Sequence, residues 1–161
     1  MSPDEIKNKV LDWITQIDYE ILKVTKTEKT NFIFTIKSKE KSVLNFPLNI
    51  ALSKKPEGLI LGFTGWIRGE DNKSFRGTDI NYIEKMYQEL WDRANLSNVN
   101  FSSESRKEET RLRTMKVIYP HEITKDKFFM TISELTEFRK YLHSTFKKYK
   151  FAKPKLDSYG I

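Results

Sequence analysis

The run LILGFTGWI, residues 59–67, decides the fold because it is apolar on both faces of an extended chain. In a strand, Leu59, Leu61 and Phe63 point to one side, whereas Ile60 and Trp66 point to the other. A strand of this kind lies at the centre of a sheet, or has its second face covered by another element. We therefore expect residues 59–67 to be central in their sheet or covered on both sides.

Three more strands are predicted before this run. Residues 19–26 and 31–38 flank the polar turn TEKT and indicate a β-hairpin. The stretch VLNFPLNIALS, residues 43–53, alternates apolar and polar side chains and predicts a strand with one buried face. Its Pro47 has no backbone N–H to donate, which favours an edge position or a bulge. Since the turns are short, neighbouring strands are expected to be antiparallel.

Three segments combine apolar residues at helical spacing with signals for a helix start. They are residues 2–18, with a capping box at Ser2 and Glu5; residues 78–94, starting at Thr78 or Asp79; and residues 131–149, with a capping box at Thr131 and Glu134. Between the fourth strand and the second helix, RGEDNKSFRG at residues 68–77 is predicted to be a polar loop.

Two further strands, residues 98–105 and 112–119, follow the second helix, and residues 121–130 are ambiguous between a loop and a short strand. The predicted order is α-β-β-β-β-α-β-β-α. This order is typical of an α+β fold, with a mainly antiparallel sheet and helices packed on one face. We expect a single domain over residues 1–152 and a flexible basic and polar tail over residues 153–161.

Composition excludes several classes of protein. The 161 residues are 38% hydrophobic and 13% aromatic, which is enough to build a core. There is no Cys, so disulfides and thiolate chemistry are excluded. No signal peptide is recognisable in MSPDEIKNKV, and no run approaches the roughly 18 apolar residues of a membrane span. We expect a cytoplasmic protein.

No catalytic, metal or cofactor motif is present. The glycines of GLILGFTGWIRG lack the ending of a phosphate-binding loop. His121 and Glu122 have no second histidine at the spacing of a zinc helix, and His143 is expected on the polar face of the last helix. The sequence therefore predicts no catalytic residue, no metal ligand and no cofactor, and we expect that the protein is not an enzyme.

The loop at residues 68–79 is the first candidate for a ligand or partner site. It brings charges of both signs close to an aromatic ring, and its candidate residues are Trp66, Arg68, Asp71 and Arg76. A solvated connection between a strand and a helix has the same composition. If the protein were an enzyme or a small-ligand binder, we would expect this loop to form the site.

The net charge of +7 comes from one segment. Residues 139–155 contain seven Lys or Arg and no acid, so the rest of the chain is balanced. Lysines interleaved with rings can bind single-stranded nucleic acid, and the candidates are Arg139, Lys140, Lys150, Lys153 and Lys155. Without any partner, Lys147 and Lys148 would complement the helix dipole.

Rings in this segment have a similar double interpretation. Phe146 and Tyr149 continue the inward stripe of the last helix and are expected in the core. Tyr141 and Phe151 remain as possible exposed rings that could stack on bases. The basic segment is therefore either a nucleic-acid-binding surface or the solvated end of a helix, and an acidic protein partner or a membrane surface would also suit its charge.

The order of elements resembles the type III secretion chaperone-like fold. The chain is also similar to a family of uncharacterised prokaryotic, chiefly archaeal, proteins of about this length, over residues 3–149. The resemblance rests on topology and on apolar patterns such as VLDWI, FPLNIAL and FFMTISELTEFRKYL. It implies a small homodimer that binds other polypeptides without chemistry. Secretion chaperones are typically acidic, whereas this chain is basic.

The leading hypothesis is therefore a non-enzymatic protein-binding module, chaperone-like or an adaptor, that forms a homodimer and recognises a polypeptide partner. We expect the partner or second subunit on the sheet and the middle helix. The alternative is a nucleic-acid-binding protein that uses residues 139–155. The second alternative is an enzyme or small-ligand binder that uses residues 68–79.

Overall fold

The computed structural model describes residues 1–39, 46–55 and 58–157. Within them the chain forms four α-helices, a 3₁₀ turn at Pro120–Glu122 and seven strands. In chain order the elements are α1 (Pro3–Gln16), β1 (Tyr19–Thr25), β2 (Thr30–Ser38), β3 (Leu48–Ser53), β4 (Leu59–Arg68), α2 (Gly69–Arg76), α3 (Ile80–Leu96), β5 (Asn100–Ser105), β6 (Glu109–Ile118), α4 (Lys125–Lys148) and β7 (Lys155–Asp157).

The strands form one antiparallel sheet in the order β1-β2-β3-β4-β6-β5, and β7 also pairs with β4. β4 lies between β3 and β6, and all its residues from Leu59 to Ile67 are buried or half-buried. This confirms the prediction that the run at 59–67 is central. The α+β class and the predicted order are also confirmed, with α2 as an additional helix.

β3 departs from its prediction because it lies between β2 and β4 rather than at an edge. Leu48–Leu52 are buried on both faces, so the expected half-buried strand is wrong. The predicted beginning of this strand, residues 43–45, lies outside the described residues. Pairing between β3 and β4 stops at Asn49 and Gly62, two residues after Pro47. Beyond this point β7 takes over the pairing, opposite Thr64–Trp66.

The core fills the space between one face of the sheet and the helices. It is rich in rings, and its fully buried phenylalanines include Phe34, Phe63, Phe128 and Phe146. Trp13 of α1 lies 5.5 Å from Phe128 of α4, measured between ring centroids, so the first and last helices meet above the sheet. We call the side of the sheet that is covered by these helices the core face, and we call the opposite side the second face.

Two helices differ from the sequence prediction. Residues 69–76 form α2 instead of a loop, and Phe75 of this helix is buried in the core. α4 begins at Lys125, after Thr124, whose side chain accepts a hydrogen bond from the backbone N–H of Lys127. The capping box predicted at residue 131 lies inside the helix, where the Thr131 hydroxyl donates to the Lys127 carbonyl at 2.7 Å.

The C-terminal part of the described chain packs against the domain. Phe146 and Tyr149 lie in the core, as predicted. Tyr141 and Phe151, predicted as exposed rings, are half-buried against the core instead. Residues 155–157 belong to the segment that the sequence assigns to a flexible tail, and the structure places them in β7. No helix in the described part of the chain has the length and apolar character to span a membrane.

Candidate functional site

The four residues of the predicted loop site are divided by the fold. Trp66 and Arg68 belong to β4, and their side chains lie on the second face of the sheet, because their neighbour Ile67 points into the core. Asp71 and Arg76 lie on α2, on the exposed surface of that helix. The structure therefore keeps the first pair together and separates it from the second.

Trp66 is at the centre of a cluster of arginines. Its side chain is only 7% exposed, and the guanidinium carbons of Arg68 and Arg111 lie 4.4 and 5.4 Å from its ring centroid. Arg68 Nε donates to Glu109 at 3.0 Å, and an Nη of Arg111 donates to Glu104 at 3.2 Å. The guanidinium groups of both arginines are planar cations, and such groups attract anions.

β7 adds a further cation to this cluster. Lys155 pairs opposite Trp66, so the two residues share the second face of the sheet. Arg113 lies on the same face, because it pairs opposite Thr64. The structure thus joins part of the predicted loop site to one residue of the predicted basic segment. We name Arg68, Arg111, Arg113 and Lys155 around Trp66 the Trp66 cluster.

The other predicted nucleic-acid-binding residues are not assembled into one surface. Arg139 is only 5% exposed, with its guanidinium carbon 4.9 Å from the ring centroid of Phe46, and burial lowers the pKa of this guanidinium. Lys140 is bound to Glu137 at 3.0 Å on the surface of α4. Lys150 and Lys153 lie on the exposed connection between α4 and β7. Arg139 is therefore unsuited to contact phosphate groups.

Sequence reasoning missed Asn72 on α2. Its side chain is fully buried, donates to the carbonyls of Arg106 and Lys107 at 3.1 and 3.2 Å, and accepts from the Thr110 hydroxyl at 2.6 Å. These bonds tie the turn between β5 and β6 to α2. Because Asn72 is one polar residue in a polar stretch, no pattern in the sequence distinguishes it from its exposed neighbours.

The pockets formed by the described residues differ in size. The one at Asp71, closed by Lys150 and Phe151, has a volume of about 50 Å³, far below the roughly 300–1,000 Å³ of sites for drug-sized ligands. A groove of about 520 Å³ lies between the turns at residues 27–30 and 53–55.

Among the described residues, no group of three or more His, Asp or Glu could hold a metal ion.

His143 is less solvated than the sequence predicts. Burial, with the nearby charges of Arg139 and Lys153, lowers its pKa to about 4. Its Nε2 atom is buried and has no hydrogen-bond partner within the described part of the chain. The ring contacts the backbone of Pro154, which precedes β7. His143 is therefore neutral at pH 7 and lies beneath the segment that leads to β7.

β1 differs from the other strands in that it exposes several apolar side chains. Within residues 1–39, 46–55 and 58–157 it pairs only with β2, and five consecutive residues from Glu20 to Val24 are exposed. Three of them are apolar: Ile21, Leu22 and Val24 are 37, 52 and 53% exposed. The sequence predicted a strand here, but nothing in the run itself shows that no other element covers it.

A shift in register gives β1 an uneven distribution of side chains. The shift falls between Ile21 and Lys23, where Leu22 has no partner on β2. Ile21 and Val24 pair opposite Ile36 and Phe34, which are core residues. Ile21 and Val24 therefore lie on the core side of the sheet, where their side chains remain exposed.

These features define an α+β protein whose sheet is closed by helices on one side and open along β1. The chain belongs to the family of uncharacterized conserved proteins DUF2299, which it matches over residues 6–146. A crystal structure of an uncharacterized protein from Methanothermobacter thermautotrophicus has a similar fold, with a TM-score of 0.73 and 11% identity over 91% of this chain and 99% of that one. No curated protein matches the chain significantly.

Proposed function

We propose that this protein is a non-enzymatic protein-binding module that recognises an extended polypeptide segment along β1. The observation that carries the proposal is the exposure of Ile21, Leu22 and Val24 on a strand that has one neighbour among the described strands. The outer edge of such a strand presents backbone N–H and C=O groups in a row, which is a template for another strand. Several peptide-binding domains recognise their ligands by adding a strand in this way.

Side chains and backbone of β1 would contribute different parts of the binding energy. Burying apolar surface stabilises a complex by about 25 cal/mol per Å², and the three exposed apolar residues supply that surface. Backbone hydrogen bonds along the added strand fix its direction, while opposed side chains contribute about 0.2–1 kcal/mol per pair. A partner with alternating apolar residues would fit best, because every second side chain would face Ile21 and Val24.

The predicted resemblance to type III secretion chaperones supports the same proposal, because those proteins bind polypeptides as homodimers without chemistry. From the sequence, the partner is expected on the sheet and the middle helix. That helix, α3, exposes Ile80, Trp91 and Leu96. We favour β1 over α3 because β1 combines exposed apolar side chains with an open backbone edge.

The test compares retained polypeptides for three forms of the tagged protein purified from its native host. We expect the wild-type chain to retain a stoichiometric polypeptide, either a second copy or another chain, and the Leu22→Lys, Val24→Lys double variant to lose it. The Ile80→Lys variant is the control, because it changes an apolar residue of α3 that is at least as exposed. Equal retention by all three forms, or no retained polypeptide, would contradict the proposal.

A second candidate function is the binding of a polyanion such as single-stranded nucleic acid by the Trp66 cluster. It is favoured by the arrangement of four cations on one face, with the guanidinium carbon of Arg68 4.4 Å from the centroid of the Trp66 ring. Guanidinium planes stack on unpaired bases, and cations contact phosphates. This candidate retains Lys155 from the predicted basic segment and does not use Arg139.

The test is fluorescence anisotropy of labelled single-stranded oligonucleotides of DNA and of RNA. We expect the Arg113→Glu, Lys155→Glu double variant to bind much more weakly than the wild type, and the salt dependence of binding to become shallower because fewer phosphates are contacted. Lys140→Glu, on the exposed surface of α4, is the control: it reverses one charge outside the Trp66 cluster, as each substitution of the double variant reverses one charge within it. Binding that is absent in the wild type, or unchanged in the double variant, would dismiss this candidate.

A further inference from the structure

We infer that the segment that pairs with β1 is the β1 strand of a second copy of this chain, antiparallel to the first about a twofold axis. The inference rests on the proposed function and names the partner for the same edge. It follows from the distribution of charged and apolar side chains along Tyr19–Thr25, which is complementary to itself in one register. A twofold interface requires such self-complementarity, because the same residues come from both sides.

The register shift in β1 places its two charged residues on the same face. Glu20 pairs opposite Lys37, and Lys23 pairs opposite Thr35. Since Thr35 and Lys37 are two residues apart on β2, both point to the second face. Glu20 and Lys23 therefore point there as well, although three positions apart in a regular strand would put them on opposite faces.

Apolar residues occupy the other face of the same strand. Tyr19, Ile21 and Val24 pair opposite Ser38, Ile36 and Phe34, which alternate along β2 with the residues of the second face. Leu22, at the register shift, adds a further exposed apolar side chain. Each β1 strand thus carries its charges on one side and Tyr19, Ile21 and Val24 on the other.

One antiparallel register matches both faces at once. If Ile21 lies opposite Leu22 of the second copy, then Glu20 lies opposite Lys23 on the second face and Tyr19 lies opposite Val24 on the core face. The axis passes between residues 21 and 22, so every pair occurs twice. Two ion pairs then flank an apolar centre, and the sheet continues through both chains.

A slip by one residue destroys this match. It would bring Glu20 opposite Leu22 or Val24 and would turn side chains towards opposite faces of the joined sheet. Glu20 and Lys23 are available for such pairs, because within the described residues neither side chain makes a hydrogen bond or an ion pair. Apolar contacts supply the affinity, and the charges select the register.

A bulge and a lysine on an edge strand can also serve to prevent association. That function would leave the chain monomeric at high concentration. In that case, exchanging the charges of Glu20 and Lys23 would not change association, since a charge of either sign protects an edge. The two explanations therefore predict different results when the charges of Glu20 and Lys23 are reversed singly and together.

The test measures self-association by analytical ultracentrifugation over micromolar to sub-millimolar concentrations. We expect the wild type to dimerise, and Glu20→Lys and Lys23→Glu each to weaken the dimer about tenfold, because each places like charges opposite one another at two sites. The double variant Glu20→Lys, Lys23→Glu restores the opposed charges and the affinity. Glu28→Lys and Lys29→Glu, in the adjacent turn, are controls for the change in net charge.

A mixing experiment provides the sharper readout. Neither single variant dimerises well alone, but an equimolar mixture forms a one-to-one heterodimer, because each Lys then lies opposite a Glu. Native mass spectrometry distinguishes the heterodimer from either homodimer when one variant is uniformly labelled with ¹⁵N, and circular dichroism establishes that all forms are folded. Failure of the mixture to form it while the single variants are weakened would overturn the register.

The outcomes also separate this inference from the proposed function. A wild-type dimer that is unaffected by both charge reversals has its interface elsewhere, and this overturns the second copy as the occupant of β1. A monomeric wild type that still retains another polypeptide through Leu22 and Val24 overturns the inference alone. A monomer that retains nothing contradicts both proposals.

Discussion

β1 and β4 are two apolar strands of the same sheet with opposite exposure. β4 pairs with β6 along its whole length, with β3 over its first part and with β7 over its second. In the part of the chain that the structure describes, β1 has a single neighbour and leaves Ile21, Leu22 and Val24 exposed. Apolar residues thus specify a strand in both cases, whereas the number of neighbouring strands determines whether its apolar side chains are buried or exposed.

The largest difference between the two strands is expected in stability. Phe63 of β4 is fully buried, and Phe63→Ala should lower the free energy of unfolding by about 3–5 kcal/mol because it leaves a cavity in the core. Val24→Ala on β1 removes a side chain that is half exposed and should change stability by no more than about 0.5 kcal/mol. Urea unfolding of both variants measures the difference, and equal losses would break the comparison.

Close packing of backbone gives β4 a second, smaller sensitivity. A Cβ atom on Gly62 would lie 2.4 Å from the backbone oxygen of Thr114 on β6, so the two strands would have to separate. We expect Gly62→Ala to destabilise the protein by about 1–3 kcal/mol, as overpacking does elsewhere. Thermal unfolding measures this loss. An unchanged midpoint would mean that β6 can shift without cost.

One substitution in β4 should increase stability. The hydroxyl of Thr64 is buried and has no hydrogen-bond partner within the described residues, so Thr64→Val removes an unsatisfied polar group and should stabilise by about 1 kcal/mol. Thr25→Val at the partly exposed end of β1 is the matched control and should have little effect. A loss of stability in Thr64→Val would show that water or another group satisfies this hydroxyl.

The smallest expected effect concerns pH at the segment that carries β7 to β4. His143 has a folded pKa of about 4, below its ordinary value near 6.5. Between these values the unfolded state binds more protons, so stability is fully present above pH 6.5 and is lost as the pH falls towards 4. Thermal midpoints at pH 7 and 5 should differ less for His143→Gln than for the wild type.

Its control uses the other histidine of the chain. His121→Gln changes an exposed residue of the 3₁₀ turn, far from β7, and should keep the wild-type difference between the two pH values. The effect of His143 is moderate because the ring is incompletely buried and solvent screens its charge. An identical pH dependence in wild type and His143→Gln would show that the histidine remains solvated.

The sequence predicted what depends on local pattern. The capping box at Ser2 and Glu5 is present, because both its hydrogen bonds form between neighbouring residues. The central position of β4 followed from its two apolar faces. α2 was missed because it begins after Arg68, which makes no side-chain cap bond, and because Phe75 and Asn72 are its only buried residues.

What the sequence could not give are features that depend on distant partners. The Thr131 and Glu134 pattern has the spacing of a cap, but the helix had already begun at Lys125 after Thr124. β7 has only three residues, and its partner on β4 becomes available only where pairing with β3 stops. The Trp66 cluster and the open edge of β1 both result from strand order, which no local pattern encodes.

β7 also sets the order in which the sheet is completed during translation. Every other strand and helix described here comes before residue 149, so Lys155–Asp157 leave the ribosome after all of them. Until then, β6 is the one described strand that pairs with Thr64–Trp66 of β4. The emerging chain therefore carries an empty strand position at the centre of its sheet, and its own last described strand fills it.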